Sequence, residues 1–250
     1  MKTRGIILAA GRGSRMGDKT KLKPKCLNKI DGKTLLDWQL DSMSKSNISN
    51  LILVTGYKSK MLQGNFKKIK NIRWNETNMV SSLFCAPSYD GNTIVSYSDI
   101  VYKPEYINLL ENSIYDVVIT ADKSWKELWS LRFKNPLDDA ETFKCEKNYL
   151  TEIGSKTNDI NNIQGQYMGL LKFSNCGWKI TKNIYMSFPK EKRDKMDMTS
   201  LLNELIRNKI KIKVIFVSGG WCEADTYNDI LVYEEQLKKD FNWKFNWKRK

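Results

Sequence analysis

The chain has 250 residues, 41% hydrophobic and 11% aromatic, with 14 Gly, 5 Pro and a formal net charge of +14. That is enough apolar material for a packed core and too little Gly and Pro for a disordered or collagen-like chain, and no apolar run approaches the roughly 20 residues of a membrane-spanning helix. With no histidine and five scattered cysteines (Cys26, Cys85, Cys145, Cys176, Cys222), Ser-His and Cys-His catalysis, a disulfide framework and a structural zinc site are excluded as well.

The first element is a buried strand, Thr3 to Ala10, followed by a basic, glycine-bearing loop that runs to about Cys26. From Thr34, the residues Leu36, Leu40 and Met43 share one helical face. Leu51–Thr55 is an apolar run of strand length, and further strands are expected at 71–74, 93–96, 116–121, 142–146, 166–173 and 211–217. Helices are expected at 104–111, 177–186, 198–207 and 227–239. Strand and helix alternating at this spacing predict one α/β domain over residues 1–250 with a largely parallel sheet. The less regular stretch 122–162 is expected to be an insertion over one sheet edge, and 241–250 a basic, aromatic tail that packs on the domain. The short early apolar run Gly5–Ala10 leads into Gly-Arg-Gly-Ser-Arg rather than a cleavage site, which predicts a cytoplasmic protein without stable membrane insertion.

The most informative residues follow the first strand: Leu8-Ala9-Ala10-Gly11-Arg12-Gly13-Ser14-Arg15-Met16, then Lys23-Pro24-Lys25. Two glycines at a strand end let the backbone turn tightly and present N–H groups to phosphate oxygens. Arg15 and Lys25 add the positive charge that a triphosphate requires. Two other glycine patterns fail. The dinucleotide fingerprint lacks its third glycine, displaced to Gly17, and Gly32-Lys33-Thr34 lacks the upstream glycine of a P-loop because Leu27 stands there.

The combination L-A-A-G-x-G-S-R-M and P-K resembles the nucleotidyltransferase superfamily that makes nucleoside-diphosphate-linked sugars and alcohols. The resemblance implies a Rossmann-like three-layer α/β/α fold with a mixed, mostly parallel sheet and a small acceptor-binding insertion. It also implies Mg²⁺ held by carboxylates. Asp99 follows the strand 93–96, where an open α/β sheet places ligand-binding groups. Trp221-Cys-Glu-Ala-Asp225-Thr-Tyr-Asn-Asp229 is similar to the family's W-x-E-[IV]-D-T-x-x-D segment, which makes Asp225 the second metal ligand. Oxygen-only ligation by two aspartates suits Mg²⁺.

Further segments are similar to the cytidylyltransferases for phosphocholine, aminoethylphosphonate and phosphoglutamine. Asn75-Glu-Thr-Asn78-Met-Val-Ser81-Ser82-Leu83 resembles their T-N-x-x-x-S-L. The resemblance implies a nucleotide site of Leu8, Ala9, Ala10, Gly11, Arg12, Gly13, Ser14, Arg15, Lys25, Asn78, Ser81, Ser82 and Ser98. Asp122, Trp125, Trp129 and Arg132 match D-x-x-W-x-x-x-[YW]-x-x-R; Glu141, Glu152, Lys156 and Tyr167 lie in P-x-x-x-A-E, E-I-G-K and G-x-[YF]-x-G-L segments. These eight form the expected acceptor site, although by spacing alone the two indoles fit core packing better. Ser155 interrupts the E-I-G-K pattern, and Gln166 stands where an acidic residue is usual.

The implied reaction is transfer of CMP from CTP to a small phosphorylated or phosphonylated acceptor, with Lys25, Arg15, Asp99 and Asp225 as its working residues. No general base is needed, because such acceptor oxygens are already ionised at neutral pH. Phosphoglutamine, phosphocholine and aminoethylphosphonate stand close together as acceptors, ahead of sugar 1-phosphates, and a monomer or homodimer is expected. A nucleic-acid-binding module would account for the +14 charge but brings no recognisable motif, so no nucleic acid is expected as a partner. A nicotinamide-dependent oxidoreductase would account for Gly11 and Gly13 but not for Lys25, Asp99 and Asp225.

Overall fold

The computed structural model describes residues 2–249. Strand β1 (Thr3–Ala9) leads through the basic loop to a short hairpin, β2 (Lys29–Ile30) and β3 (Lys33–Thr34), and to helix α1 (Leu35–Ser44). There follow β4 (Ile48–Thr55), β5 (Lys67–Lys70), α2 (Met79–Leu83), β6 (Asn92–Tyr97), β7 (Ile100–Tyr102), α3 (Pro104–Glu111) and β8 (Val117–Asp122). The second half comprises α4 (Trp125–Arg132), β9 (Glu141–Glu146), β10 (Tyr149–Lys156) and β11 (Gln166–Phe173). It continues with α5 (Asn175–Met186), α6 (Lys190–Lys195), α7 (Met198–Arg207), β12 (Ile212–Val217), β13 (Trp221–Glu223) and α8 (Tyr227–Lys239).

Nine strands form one sheet in the order β5-β4-β1-β6-β11-β8-β12-β10-β9. Strands β11 and β10 run against the rest, so the sheet is mixed but mostly parallel in direction. Strand β1 is buried along its whole length, as a strand covered on both faces must be. Helices α1 and α3 cover one face of the sheet; α2, α5 and α7 cover the other, giving three layers around a continuous apolar core. Local chemistry sets the helix starts. Thr34 and Asp37 form a reciprocal capping box on α1, as Thr226 and Asp229 do on α8, while Ser174 and Asp197 cap α5 and α7. Among the described residues no helix is long and apolar enough to cross a membrane.

The expected strand at 71–74 is a correction. Those residues form turns, with Ile72 79% exposed and the Asn71 side chain accepting from the Arg73 N–H. The strand lies just before, in Lys-Lys-Ile-Lys, whose charge suits a sheet edge and disguises it as a loop. The segment 122–162 contains α4 and the β9–β10 hairpin, which continues the sheet beyond β12. Residues 241–249 turn back onto the body, with Trp243, Phe245 and Trp247 buried; Lys250 lies outside the described residues.

At the end of the sheet where β6 and β8 begin, Phe173 is fully buried and packs edge-on against Trp178, with ring centroids 6.0 Å apart. Phe173→Leu is expected to lower the unfolding free energy by about 1–2 kcal/mol in urea titrations, through lost contact and a small void.

Candidate functional site

The site lies where β1 and β6 end. After Ala9 the chain passes Gly13, whose φ of +72° begins a 3₁₀ turn over Ser14–Thr20. A Cβ on Gly13 would stand 2.6 Å from the Lys25 Cβ, so only glycine lets the lysine stem lie against this turn. Pro24 then starts the short 3₁₀ turn Lys25–Leu27. Lys25 is buried, and its Nζ donates at 2.7 Å to Asp99 Oδ2 and at 2.7 Å to Asp225 Oδ1.

These two carboxylates are far apart in the chain and meet because of a small antiparallel ribbon. Strand β7, just after Asp99, pairs with β13, just before Asp225, in the register Ile100↔Glu223 and Tyr102↔Trp221. The Ala224 N–H donates to the Asp99 carbonyl at 2.9 Å, which closes the ribbon at the carboxylate end. Glu223 completes the group: Asp99, Glu223 and Asp225 each offer an oxygen within 4.8 Å of the others.

Three cations face four acids. Arg15 Nη1 donates to Asp225 Oδ2 at 2.7 Å. The Arg132 side chain, fully buried, reaches Glu223 and Asp229 at 3.3 Å each and Asp225 at 3.6 Å. Burial alone would lower the Lys25 pKa, but the charges and hydrogen bonds of Asp99 and Asp225 more than offset it, so the ammonium is held above the usual lysine range. Burial opposes ionisation of Asp225 too, yet Lys25, Arg15 and Arg132 together hold it below the usual range. Glu223 is pushed up to about 8, by burial first and then by the Asp225 charge, against the pull of Arg132. Asp99 Oδ1 is buried with no hydrogen-bond partner. An all-oxygen cluster with an orphaned carboxylate oxygen fits a hard divalent cation.

Beside this cluster, Leu8, Ala10, Gly11, Gly13, Arg15, Lys25, Asn78, Ser82, Ser98 and Asp99 line one cavity of about 200 Å³. The expected nucleotide residues Ala9, Arg12, Ser14 and Ser81 are not part of its wall. Ala9 is in the core, Arg12 and Ser14 are exposed, and the Ser81 hydroxyl points away to the Tyr185 hydroxyl at 2.9 Å and the Arg193 carbonyl at 3.2 Å. On a helix, adjacent serines face different sides, so only one of Ser81 and Ser82 can line the cavity.

On the expected acceptor side none of the eight residues lines that cavity. Trp125 is 3% and Trp129 1% exposed, and their indole N–H groups donate to the Ile163 carbonyl and to Asp139, so they are core residues rather than walls of an open box. Asp122 is fully buried and accepts from the Gly219 and Ser124 N–H groups and the Trp221 indole, which commits it to holding the turn before β13. Arg132 backs the carboxylates instead of facing a ligand. Glu152 pairs with Lys144 at 3.0 Å across β9–β10, and Lys156 is exposed at the end of β10 opposite Glu141. Glu141 is half-buried, its pKa raised by burial and by the charges of Asp197 and Asp139. Tyr167 packs edge-on against the cavity residue Tyr97, with ring centroids 5.8 Å apart.

Sequence reasoning passed over Glu223 and the cavity residues Trp74, Thr77, Met79 and Tyr97. A signal existed for Glu223, since it stands two positions from Asp225 and an extended chain turns such residues to the same side. Trp74 carried none beyond lying next to the Asn75–Leu83 segment.

Residues 5–141 match the MobA-like NTP transferase domain. The chain is 35% identical to the CTP:phosphoglutamine cytidylyltransferase of Campylobacter jejuni, in an alignment covering 94% of this chain and 99% of that one. Among solved structures it resembles the inositol-1-phosphate CTP transferase of T. maritima, with a TM-score of 0.73 and 17% identity over 94% of this chain and 96% of the other. It also resembles the CTP:phosphocholine cytidylyltransferase of Streptococcus pneumoniae, with a TM-score of 0.71 and 19% identity over 95% and 100%. At these identities the two structures establish the shared fold, a Rossmann-like three-layer arrangement.

Removing the Arg132 charge would leave a buried acidic group uncompensated. Arg132→Met is expected to cost about 3–5 kcal/mol of stability, read as a shift of the urea midpoint at unchanged slope.

Proposed function

This chain belongs to the MobA-like NTP transferase family and is a nucleotidyltransferase, and we propose that it transfers CMP from CTP to a small phosphorylated acceptor of the phosphoglutamine type. The observation that carries the reading is the buried Lys25 ammonium, bridged between Asp99 and Asp225 on the wall of a glycine-lined cavity. The choice of cytosine and of phosphoglutamine rests on the 35% identity, near full length, to the Campylobacter enzyme. Phosphocholine and aminoethylphosphonate remain the comparison acceptors, with sugar 1-phosphates behind them.

In this reading a phosphate oxygen of the acceptor attacks the α-phosphorus of CTP in line. The new P–O bond forms as the bond to the bridging oxygen breaks, and pyrophosphate leaves with that electron pair. Both reactants are anions, so the work of the site is to gather and hold them. Lys25, with its raised pKa, stays an ammonium and, with two N–H groups on Asp99 and Asp225, would give its third to an α-phosphate or acceptor oxygen rather than act as a base. Arg15, two-thirds exposed at the cavity mouth, spends Nη1 on Asp225 and would grip the β and γ oxygens with its other N–H donors. The backbone from Ala10 to Gly13 would supply N–H donors, and Ser82 and Asn78, which line the same cavity, would read a base edge. Asp99, Asp225 and Glu223 would hold Mg²⁺, which when bound neutralises charge on the triphosphate and the departing pyrophosphate.

Pyrophosphate release measured with each nucleoside triphosphate against phosphoglutamine, phosphocholine, aminoethylphosphonate and a sugar 1-phosphate tests the reading directly. CTP with phosphoglutamine is expected to give the highest kcat/KM, and a preference for another nucleotide or for a sugar phosphate would overturn it. Lys25→Ala and Asp99→Asn are each expected to reduce turnover by roughly a hundredfold or more with the far-ultraviolet spectrum unchanged. A chelator should abolish pyrophosphate release, and added Mg²⁺ should restore it.

A further inference from the structure

We propose that the segment Asp240–Lys248 is a brace that positions the loop Gly219–Asp225 and thereby sets the affinity of its carboxylates for a divalent cation. The segment repeats Phe-Asn-Trp-Lys twice, at 241–244 and 245–248. It folds back after α8 through two successive turns, with the Trp243 N–H on the Asp240 carbonyl and the Asn246 N–H on the Trp243 carbonyl. Trp243, Phe245, Asn246 and Trp247 are buried, and of the four aromatic residues only Phe241 projects, 77% exposed. Three of the four aromatic residues therefore face the protein's own interior.

Its contacts converge on one target. The Gly220 N–H donates to the Lys244 carbonyl at 2.9 Å, and the Cys222 thiol to the Phe245 carbonyl at 3.8 Å. The approach at Gly219 is so close that a Cβ there would meet the Lys244 carbonyl oxygen at 2.5 Å. Trp243 packs on Tyr233, centroid to centroid 5.9 Å, and the Tyr233 hydroxyl donates to the Glu223 carbonyl at 2.8 Å. The other side of the segment is anchored to the body. Lys244 pairs with Glu127 at 2.5 Å, Lys248 with Asp31 at 2.7 Å, and Trp247 stands edge-on to Trp38 at 5.8 Å. Among the described residues, the hydrogen bonds between segment and loop involve the Gly220 N–H and the Cys222 thiol, and no hydrogen bond or ion pair joins the segment to Asp99, Glu223 or Asp225. The segment thus acts through position. Outer-shell partners of metal ligands commonly govern affinity about 10–100-fold.

The inference rests on the proposed metal role of Asp99, Glu223 and Asp225, and Mn²⁺ is a probe that reports on both. Free Mn²⁺ is measured by electron paramagnetic resonance in titrations of the full chain and of Trp243→Ala, Trp243→Phe and Phe173→Leu, well below each melting temperature. Trp243→Ala is expected to weaken Mn²⁺ binding about tenfold, while Trp243→Phe keeps the ring and stays near wild type. Phe173→Leu, destabilised at the opposite end of the sheet, is expected to bind as wild type does. Unchanged affinity in Trp243→Ala, or an equal loss in Phe173→Leu, would overturn the brace. Failure of the unaltered chain to bind Mn²⁺ would instead overturn the metal reading beneath it, and the brace with it. Should Trp243→Ala not fold, Trp247→Leu releases the outer anchor and supplies the same comparison, with the same outcomes deciding.

Discussion

A single ammonium group organises this molecule's working end. Lys25 Nζ lies 2.7 Å from Asp99 and 2.7 Å from Asp225, in a place from which water is largely excluded. Charges are costly to bury unless they are paired and hydrogen-bonded, so everything near Lys25 must support the arrangement. Gly13 clears space for the lysine stem, the β7–β13 ribbon brings the two acids to one place, and Arg132 balances the acids from behind. Each of these is a separate part of the chain, yet none has an obvious reason to exist without the others. The same layout that makes the lysine affordable to bury leaves Asp99 Oδ1 without a partner. That is a strain a divalent cation would relieve.

Much of the fold was legible because its central strands are long apolar runs and its major helices carry an apolar face with a side-chain cap or, in α3, a proline at the first position. Strands β1, β6, β8, β11 and β12, and helices α1, α3, α5, α7 and α8, all fall where those signals place them. Among the elements that escaped, which also include β2, β3, β10 and α6, several have a tertiary reason for being. Strand β5 is charged because it is an edge, and β7 and β13 are three residues each, too short to show any period. Helix α2 has five residues and is held by what packs on it.

The site was legible in a different way. Glycines, a proline and a lysine clustered within one loop mark a phosphate-binding turn in local sequence, and the structure brings Ala10, Gly11, Gly13, Arg15 and Lys25 of that loop to one cavity. The acceptor side is not local, and similarity of pattern was a poor guide to exposure there. Trp125 and Trp129 stand at a spacing that serves a ligand box and a helix core equally well, and only burial distinguishes the two. Arg132 illustrates the same point with charge: its side chain looked ready for an anionic ligand, but three acids of the protein itself already surround it.

The lysines of β5 bear on how copies of the protein meet. An open sheet margin has unpaired backbone donors and acceptors that could extend into a neighbour's sheet. Here that margin reads Lys67-Lys68-Ile69-Lys70, so two such margins laid side by side would oppose ammonium groups to ammonium groups on a chain already carrying +14. Electrostatic repulsion between two such margins disfavours pairing of β5 with the β5 of a second copy; the other margin of the sheet is β9. Raising the ionic strength would weaken that repulsion, because screening acts most strongly on exposed charges.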